Sequence, residues 1–377
     1  MSRFDEVVPP FVRRLGPYVP GKPVKQAEQE SGVRCIKMAS NENPFGPSPA
    51  ALAALRDAAA ESNFYPDADN TELRRLLAAR NGVKPEELLI TCGSSSMLNI
   101  IARTLLAPGL NAITSERSFI VYPIAVRSTG AEFVTVPMRD NSFDLDAILA
   151  AVTPETRAIF IANPNNPTGT LIDVAEMDRF LDRVPQNVCV VLDEAYAEFA
   201  EYFAAERGMR YTRSMEYVRE GRNVVVLRTF SKAQGLAGLR IGYGVAPAGL
   251  MQYFTRMKTV FTVSGVAEAA AIAALSDAGH IRRTQENNAS SAQWLIEHIR
   301  ELGIKVAPTW ANFLYIELGE DASAVSKRLQ NEGVIIRPLT GSWGAPTAIR
   351  VTIGTPEQNQ VFFKAFKKVM EREPVNS

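Results

Sequence analysis

Histidine is nearly absent from this chain, whose 377 residues contain only His280 and His298. Both lie in a polar segment of helical character, and His298 in WLIEHIRELG is typical of a residue on a helix face. A zinc site or a Ser-His-Asp triad requires more histidine than this. The sequence therefore predicts no metal centre, and it predicts chemistry carried by Lys, Asp, Tyr, Arg or a bound cofactor.

Cysteines are few, the net charge is zero, and long apolar runs are absent. Cys35, Cys92 and Cys189 are odd in number and widely spaced, so we expect free thiols and no disulfide framework. The 41 basic residues balance the 41 acidic ones, which favours neither nucleic acid nor an anionic membrane as a partner. No apolar run approaches the ~20 residues that span a bilayer. The start of the chain has prolines and acidic residues where a secretory signal is apolar, so we expect a cytoplasmic protein.

The length is suited to one large domain and a smaller one. Frequent Pro and Gly predict an extended N-terminal arm (1–45) that packs on the small domain or on a partner subunit. Residues 46–255 alternate between helical patterns and continuous apolar runs, which are typical of strands covered on both faces. This alternation of strands and helices predicts an α/β large domain around a mainly parallel, doubly wound, seven-stranded sheet. After residue 255 the regular alternation of strands and helices ends, which predicts a smaller α+β domain at 256–377.

The individual strands follow from the apolar runs. In the large domain we expect strands at Leu88–Cys92, Asn111–Ser115, Glu132–Pro137, Ala158–Ala162, Val188–Leu192, Val224–Arg228 and Ile241–Ala246. In the small domain we expect them at Ile304–Val306, Phe313–Glu317, Val334–Arg337 and Ile349–Ile353.

A glycine-serine motif, Gly93-Ser-Ser-Ser96, follows the first strand and opens a helix. Its backbone N–H groups and hydroxyls can face a phosphate at the positive end of that helix. A serine N-cap is the commoner explanation for a GSSS that stands alone, so this motif by itself is weak. Met97 occupies the position of the second glycine in G-x-S-x-G, so the motif is not a nucleophile elbow.

Polar residues also follow two other strands. In Asn163-Pro-Asn-Asn-Pro-Thr-Gly169 the prolines restrict the backbone and leave the amides of Asn165 and Asn166 free in a turn. Asp193 opens DEAY directly after the apolar run NVCVVL, where an unpaired carboxylate would be costly. A protonated pyridine nitrogen or a buried arginine would supply the cation that Asp193 needs.

Lys232 carries the most information about the chemistry. It lies in Arg228-Thr-Phe-Ser-Lys232 at the end of a strand, and Arg240 follows eight residues later in a glycine-rich run. The segment alone could be a phosphate-binding loop, but neither the P-loop pattern nor the dinucleotide fingerprint G-x-G-x-x-G is present. A lysine that forms a Schiff base needs its pKa lowered by burial and by a nearby cation, which Arg240 can provide.

Together these motifs resemble the class I/II aminotransferases of pyridoxal-phosphate (PLP) fold type I over nearly the whole chain. Within that family they are most similar to the histidinol-phosphate aminotransferases. The further motifs that carry the resemblance are YVPGKP at 18–23, ASNENP at 39–44, YPD at 65–67, LAGLR at 236–240 and RVTIGT at 350–355. The resemblance implies a homodimeric, PLP-dependent enzyme of histidine biosynthesis that transaminates L-histidinol phosphate with 2-oxoglutarate.

The resemblance also implies a role for each matching residue. Lys232 would form the Schiff base and move the substrate proton, Asp193 would pair with the ring nitrogen, and Tyr196 with Asn166 would bind the ring 3-oxygen. The other cofactor-binding residues would be Ser94, Ser95, Thr229, Ser231 and Arg240 at the phosphate, Phe119 on the ring, and Tyr65 of the partner subunit. The substrate-binding residues would be Tyr18, Asn41, Arg337 and Arg350.

The sequence is also compatible with other functions. The segments RSFIVYPIAV and FTVSGVAEAAAIAAL also resemble bacterial phenylalanine and aromatic aminotransferases. Many histidinol-phosphate relatives carry an acidic residue near GSSS and an aromatic residue where Gln234 stands. A PLP-dependent decarboxylase of a phosphorylated amino acid and a catalytically silent PLP-binding regulatory module are further alternatives, although every polar group that catalysis needs is present.

Overall fold

A computed structural model describes residues 4, 6–16 and 21–371 of the chain. The strands β1 to β13 are, in chain order, Ile36–Lys37, Leu88–Thr91, Asn111–Ser115, Glu132–Val136, Thr156–Ala162, Cys189–Asp193, Val224–Thr229, Gly242–Val245, Lys305–Val306, Phe313–Glu317, Val334–Ile335, Arg337–Pro338 and Ala348–Thr352. The helices α1 to α15 are Pro10–Arg13, Val24–Ser31, Pro49–Ala58, Thr71–Asn81, Ser94–Leu105, Val121–Arg127, Leu145–Ala150, Val174–Leu181, Ala197–Glu206, Ser214–Arg219, Ala248–Met257, Gly265–Ser276, Ala278–Glu301, Ala322–Asn331 and Pro356–Met370.

The central sheet has seven strands in the order β2-β8-β7-β6-β5-β3-β4. Only β8 runs antiparallel to its neighbours, so the sheet is mainly parallel, as predicted. Every residue of β2, β3, β6 and β8 is buried, which explains why these strands are continuous apolar or small-residue runs without alternation. The predicted α/β fold is confirmed.

The C-terminal part contains a second, four-stranded sheet in the order β12-β13-β10-β9, with all pairs antiparallel. Its own apolar core includes Leu314, Val351 and Phe362. Helix α12 lies beyond residue 255, yet its Ala270 and Ala274 belong to the core of the central sheet. The domain limits at 45 and 255 stay predictions.

Two local expectations were wrong. Val334–Arg337 is not one strand, because β11 pairs in parallel with β1 while β12 pairs with β13 of the other sheet. The N-terminal arm is not wholly extended, since α2 (Val24–Ser31) is a helix between Pro23 and Gly32. Proline before the first turn and a glycine with φ of 70° after the last are standard helix boundaries, and KQAEQES between them consists mainly of good helix formers.

The sheet register brings the polar motifs to one edge. Ala162, Asp193 and Leu227 are successive partners across β5, β6 and β7, so the segments that follow these strands leave the sheet side by side. β2 leads to Gly93 and the first turn of α5 (Ser94–Leu105) at the same region. Ligands of open α/β sheets bind at such carboxyl ends. Among the described residues, no helix has both the length and the apolarity needed to cross a membrane.

Candidate active site

A cavity of about 350 Å³ lies at this edge of the sheet. It brings together most of the residues that the sequence predicted for the site, namely Asn41, Ser94, Ser95, Phe119, Asn166, Asp193, Tyr196, Thr229, Ser231, Lys232, Arg240, Arg337 and Arg350. Neither histidine is among the lining residues. The predicted Tyr18 lies outside the described residues.

The amine of Lys232 is buried in this cavity. Its Nζ donates a hydrogen bond to the carbonyl oxygen of Ser40 at 3.2 Å and lies 5.5 Å from the centre of the Tyr196 ring. Burial lowers the pKa of Lys232 to about 7, and the guanidinium groups of Arg350 and Arg240 act in the same direction. A substantial fraction of this amine is therefore neutral and nucleophilic at neutral pH.

The carboxyl group of Asp193 is buried as well, with 4% of the residue exposed. Its Oδ2 accepts a hydrogen bond from the Tyr122 hydroxyl at 3.0 Å, and its Oδ1 accepts one from the backbone N–H of Ala195 at 3.3 Å. Burial, reinforced by the neighbouring Glu194, raises the pKa of Asp193 to about 6. A buried carboxyl that faces a cavity is suited to a cationic group of a ligand.

A buried arginine does not fill this role for Asp193. The partly buried Arg228 forms an ion pair with Glu194 at 2.8 Å. The buried Arg350 donates to Asn166 and to the carbonyl oxygen of Ala39. Glu194 also accepts a hydrogen bond from the hydroxyl of Thr212. Among the described residues, no salt bridge includes Asp193, so its carboxyl group can pair with a cationic group of a ligand.

Hydroxyls, a helix start and one guanidinium form the end of the cavity near β7. Arg240 lies 3.5 Å from the Ser231 hydroxyl, which accepts a hydrogen bond from Thr229 at 3.0 Å. Ser94 and Ser95 begin α5, and a Cβ on the preceding Gly93 would lie 2.6 Å from Nη2 of Arg240. The cluster is suited to a phosphate group, because it combines a cation, hydroxyls and the N–H groups of a helix start.

Two amide side chains are oriented by neighbouring donors and acceptors. Arg350 donates to Oδ1 of Asn166 at 2.5 Å, so the amide nitrogen of Asn166 can donate to a ligand. Asn41 donates from Nδ2 to the Tyr196 hydroxyl at 2.9 Å, and its Oδ1 accepts from Thr352 at 3.2 Å. The side chain of Asn41 therefore fixes Tyr196 at the cavity wall.

Two further arginines line the cavity. Arg337 and Arg350 are direct partners across the antiparallel pair β12 and β13, and both line the cavity beside Trp343. Like charges placed directly opposite each other repel, unless an anion binds between or beside them. A Cβ on Gly21 of the N-terminal arm would lie 2.3 Å from Nη2 of Arg337, so the arm backbone lies against this guanidinium.

The remaining predicted residue, Tyr65, lies on the surface of the chain. Tyr65 is 83% exposed, and its ring centre lies 4.8 Å from that of Phe261. The structure thus separates Tyr65 from the cavity of the chain to which it belongs.

Several residues of the site have little or no signal in the sequence. Tyr122 contacts Asp193, and the only available signal is its spacing of three residues from Phe119 in a helical segment. The carbonyl of Ser40 accepts the hydrogen bond of Lys232, a contact that no side-chain pattern indicates. Trp343 lies in a short 3-10 turn after β12, and its sequence context contains no signal of a binding site.

Comparisons with known proteins show the family to which the chain belongs. Residues 33–366 match the model of the family described as aminotransferase class I and II. The chain is 43% identical to histidinol-phosphate aminotransferase 2 of Pseudomonas fluorescens, over 98% of this chain and 99% of the relative. It is 44% identical to histidinol-phosphate aminotransferase of Moorella thermoacetica, over 94% and 91% of the two chains.

A solved structure shares the whole fold. The crystal structure of histidinol-phosphate aminotransferase from Sinorhizobium meliloti in complex with pyridoxal-5'-phosphate superposes with a TM-score of 0.87 at 31% identity, covering 98% of both chains. With the family model matched over most of its length and full-length relatives above 40% identity, the chain belongs to the class I and II aminotransferases.

Proposed function

We propose that this chain is a PLP-dependent transaminase that transfers the amino group between L-histidinol phosphate and 2-oxoglutarate. The observation that carries the proposal is that Lys232, whose pKa burial lowers to about 7, and the buried carboxyl of Asp193 line one cavity together with Arg240, Arg337 and Arg350. The names of the similar proteins support the choice of substrate.

The cavity is suited to PLP at each of its polar groups. Ser94, Ser95, Thr229, Ser231 and Arg240 would hold the phosphate, and Asp193 would hold the ring nitrogen. Asn166 and Tyr196 would bind the ring 3-oxygen, and Phe119 would cover the ring. When bound, PLP supplies an electron sink for the electron pair left at the substrate carbon after deprotonation.

Lys232 would serve both as the covalent attachment point and as the base. Its lowered pKa leaves Nζ able to accept the proton from the substrate carbon near neutral pH and to return it later. The hydrogen bond to the Ser40 carbonyl orients the amine within the cavity. Burial of the amine keeps water from competing for the proton.

Arg337 and Arg350 would bind the anionic groups of the two substrates. A phosphate monoester carries up to two negative charges, which matches a pair of guanidinium groups at adjacent strand positions. 2-Oxoglutarate carries two carboxylates and can use the same pair. The arm residues near Gly21 would cover the bound substrate, and Tyr18 stays a predicted contact outside the described residues.

A borohydride experiment tests the cofactor and the lysine together. The purified protein should absorb in the visible range, and borohydride should abolish the band and fix the cofactor to the peptide that contains Lys232. Mass spectrometry of the peptides locates the adduct. Lys232→Ala should yield no such adduct, and an adduct on any other lysine would contradict the assignment of Lys232.

Kinetics with three amino donors test the substrate. Arg337→Leu should lower kcat/KM for histidinol phosphate roughly 100-fold more than for phenylalanine or tyrosine, because it leaves a dianion without its charged donor. The two aromatic donors are the internal control for damage to the cavity. Equal losses for all three donors would exclude Arg337 as the phosphate ligand and would favour an aromatic aminotransferase.

A homodimer and a cytoplasmic location complete the proposal. Phe64, Tyr65, Val260 and Phe261, here called the aromatic patch, are 72%, 83%, 65% and 44% exposed. Neighbouring exposed apolar side chains of this kind favour an interface with another protein. A second copy of this chain would cover the patch and would receive Tyr65 of the partner subunit at its cavity.

A further inference from the structure

The hydroxyl of Tyr122 is the only side-chain donor to Asp193 among the described residues. Tyr122 lies on α6 and is fully buried, and its hydroxyl oxygen is 3.0 Å from Oδ2 of Asp193. The other carboxyl oxygen accepts from the backbone N–H of Ala195. One donor on each oxygen fixes the plane of the carboxyl group and leaves lone pairs that can point into the cavity.

The hydroxyl also acts on the charge of the carboxyl group. Burial raises the pKa of Asp193, and the hydrogen bond from Tyr122 opposes that effect because it stabilises the ionised form. Burial and the nearby Asp193 raise the pKa of Tyr122 well above its usual value, so the phenol keeps the proton that it donates. The pair therefore favours a carboxylate with a neutral tyrosine beside it.

Aromatic packing fixes Tyr122 in this position. Its ring stacks on Phe160 of β5 with centres 5.1 Å apart, and it meets the edge of Phe119 at 5.6 Å. Phe119 lines the cavity, so Tyr122 connects a cavity ring with the cavity carboxyl. Rigid aromatic contacts on both sides leave the hydroxyl little freedom to turn away from Asp193.

We propose that Tyr122 is a positioning residue, which orients Asp193 and keeps it ionised so that it recognises the protonated ring nitrogen of the cofactor. This inference rests on the proposed function, since it assumes PLP as the ligand. Tyr122 itself does not line the cavity and acts only through Asp193.

The test compares PLP with 1-deaza-PLP, in which a carbon replaces the ring nitrogen. Holoprotein is dialysed against a mixture of both compounds, and the bound ratio is measured by chromatography after their release. The wild type should prefer PLP, and Tyr122→Phe should reduce that preference about tenfold, as expected for a lost hydrogen bond to a charged group. The ratio is taken within one folded sample, so a general loss of stability does not change it.

Tyr217→Phe is the matched control. Tyr217 is also buried and donates to an aspartate, Asp178, at 2.7 Å, but it does not line the cavity or contact Asp193. This variant should keep the wild-type preference. An unchanged preference in Tyr122→Phe, or an equal fall in Tyr217→Phe, would overturn the inference.

A second variant, Asp193→Asn, tests whether Tyr122 affects cofactor preference only through Asp193. In Asp193→Asn the preference for PLP should already be small, and adding Tyr122→Phe should not change it further. A further fall in the double variant would also overturn the inference. If the wild type binds neither compound, the proposed function itself fails, which distinguishes that outcome from failure of the role of Tyr122.

Discussion

At the scale of single residues, the site depends on ionisable groups whose burial moves their pKa values toward neutrality from opposite sides. Burial lowers the pKa of Lys232 to about 7 and raises that of Asp193 to about 6. Desolvation disfavours the charged form of each, which accounts for both directions. Perturbed values of this kind are concentrated at functional sites, and here the two groups share one cavity.

The lowered pKa of Lys232 can be measured by its reactivity. In protein freed of cofactor, acetylation of Lys232 should rise as the pH passes through about 7, since only the neutral amine reacts. Arg350→Gln removes a neighbouring cation, so the protonated amine becomes more stable and the inflection should move to higher pH. Mass spectrometry of the peptide that contains Lys232 reports the extent of acetylation at each pH.

Arg328→Gln serves as the control for that experiment. Arg328 pairs with Glu320 and does not line the cavity, so its loss should leave the inflection where it is. An inflection near the usual lysine value of about 10.4 in the wild type would show that Lys232 is not desolvated.

At the scale of elements, the apolar runs predicted the central strands closely. Asn111–Ser115 and Phe313–Glu317 have the predicted bounds, and the other predicted strands of the large domain differ by one or two residues at one or both ends. Helix α9 (Ala197–Glu206) begins directly after Tyr196 without a side-chain cap, so the usual sequence signal for a helix start is missing there. The run at 334–337 predicts one strand where the structure has β11 and β12, since nothing in VIIRP indicates that neighbouring residues enter two different sheets.

Close contact between β8 and the start of α5 gives a prediction at this scale. A Cβ on Gly242 would lie 2.8 Å from the backbone nitrogen of Ser94 and 2.9 Å from the carbonyl oxygen of Arg228. Gly242→Ala must therefore displace the backbone that would bind the phosphate. We expect at least a tenfold weaker affinity for PLP and a loss of about 1–3 kcal/mol in the free energy of unfolding.

Gly249→Ala is the matched change for Gly242→Ala. Gly249 lies in α11 with no atom within 4 Å of an added Cβ, so alanine should stabilise that helix by up to about 1 kcal/mol. Urea unfolding and titration with PLP measure both variants. Wild-type affinity in Gly242→Ala would show that this close approach does not shape the cofactor site.

At the scale of the whole molecule, segments from the full length of the chain meet at one cavity. The arm residues Ser40 and Asn41, the ends of the central strands and the arginines of the C-terminal sheet all line it. The parallel pairing of β1 with β11 attaches the arm to the C-terminal part. Closure of the cavity therefore depends on contacts between the first and last hundred residues.

The proposed dimer predicts a specific role for the aromatic patch. Phe261→Asp should convert the dimer to a monomer, because it places a charge in the apolar contact and the cost of desolvating that charge opposes association. Sedimentation velocity at several protein concentrations measures the change. A stable dimer in this variant would exclude the patch as the interface.

Val361→Asp provides the comparison for that variant. Val361 is 47% exposed on α15, close to the 44% of Phe261, but it is not part of the aromatic patch. We expect its mass in solution to equal that of the wild type, so an effect of Phe261→Asp alone would assign the interface to the patch.

The sequence by itself determined most strands of this protein and which side chains are available for catalysis and binding. The spacing of apolar residues and the length of an apolar run are local properties, so about ten residues suffice to predict a strand. The motifs around Asp193 and Lys232 are equally local, and they identify the chemistry of these two residues. Tertiary structure alone decided which groups act on one another. Tyr122 reaches Asp193 across 71 residues, and Arg337 lies opposite Arg350 through strand register. Such contacts depend on the packing of distant segments, which no local pattern encodes.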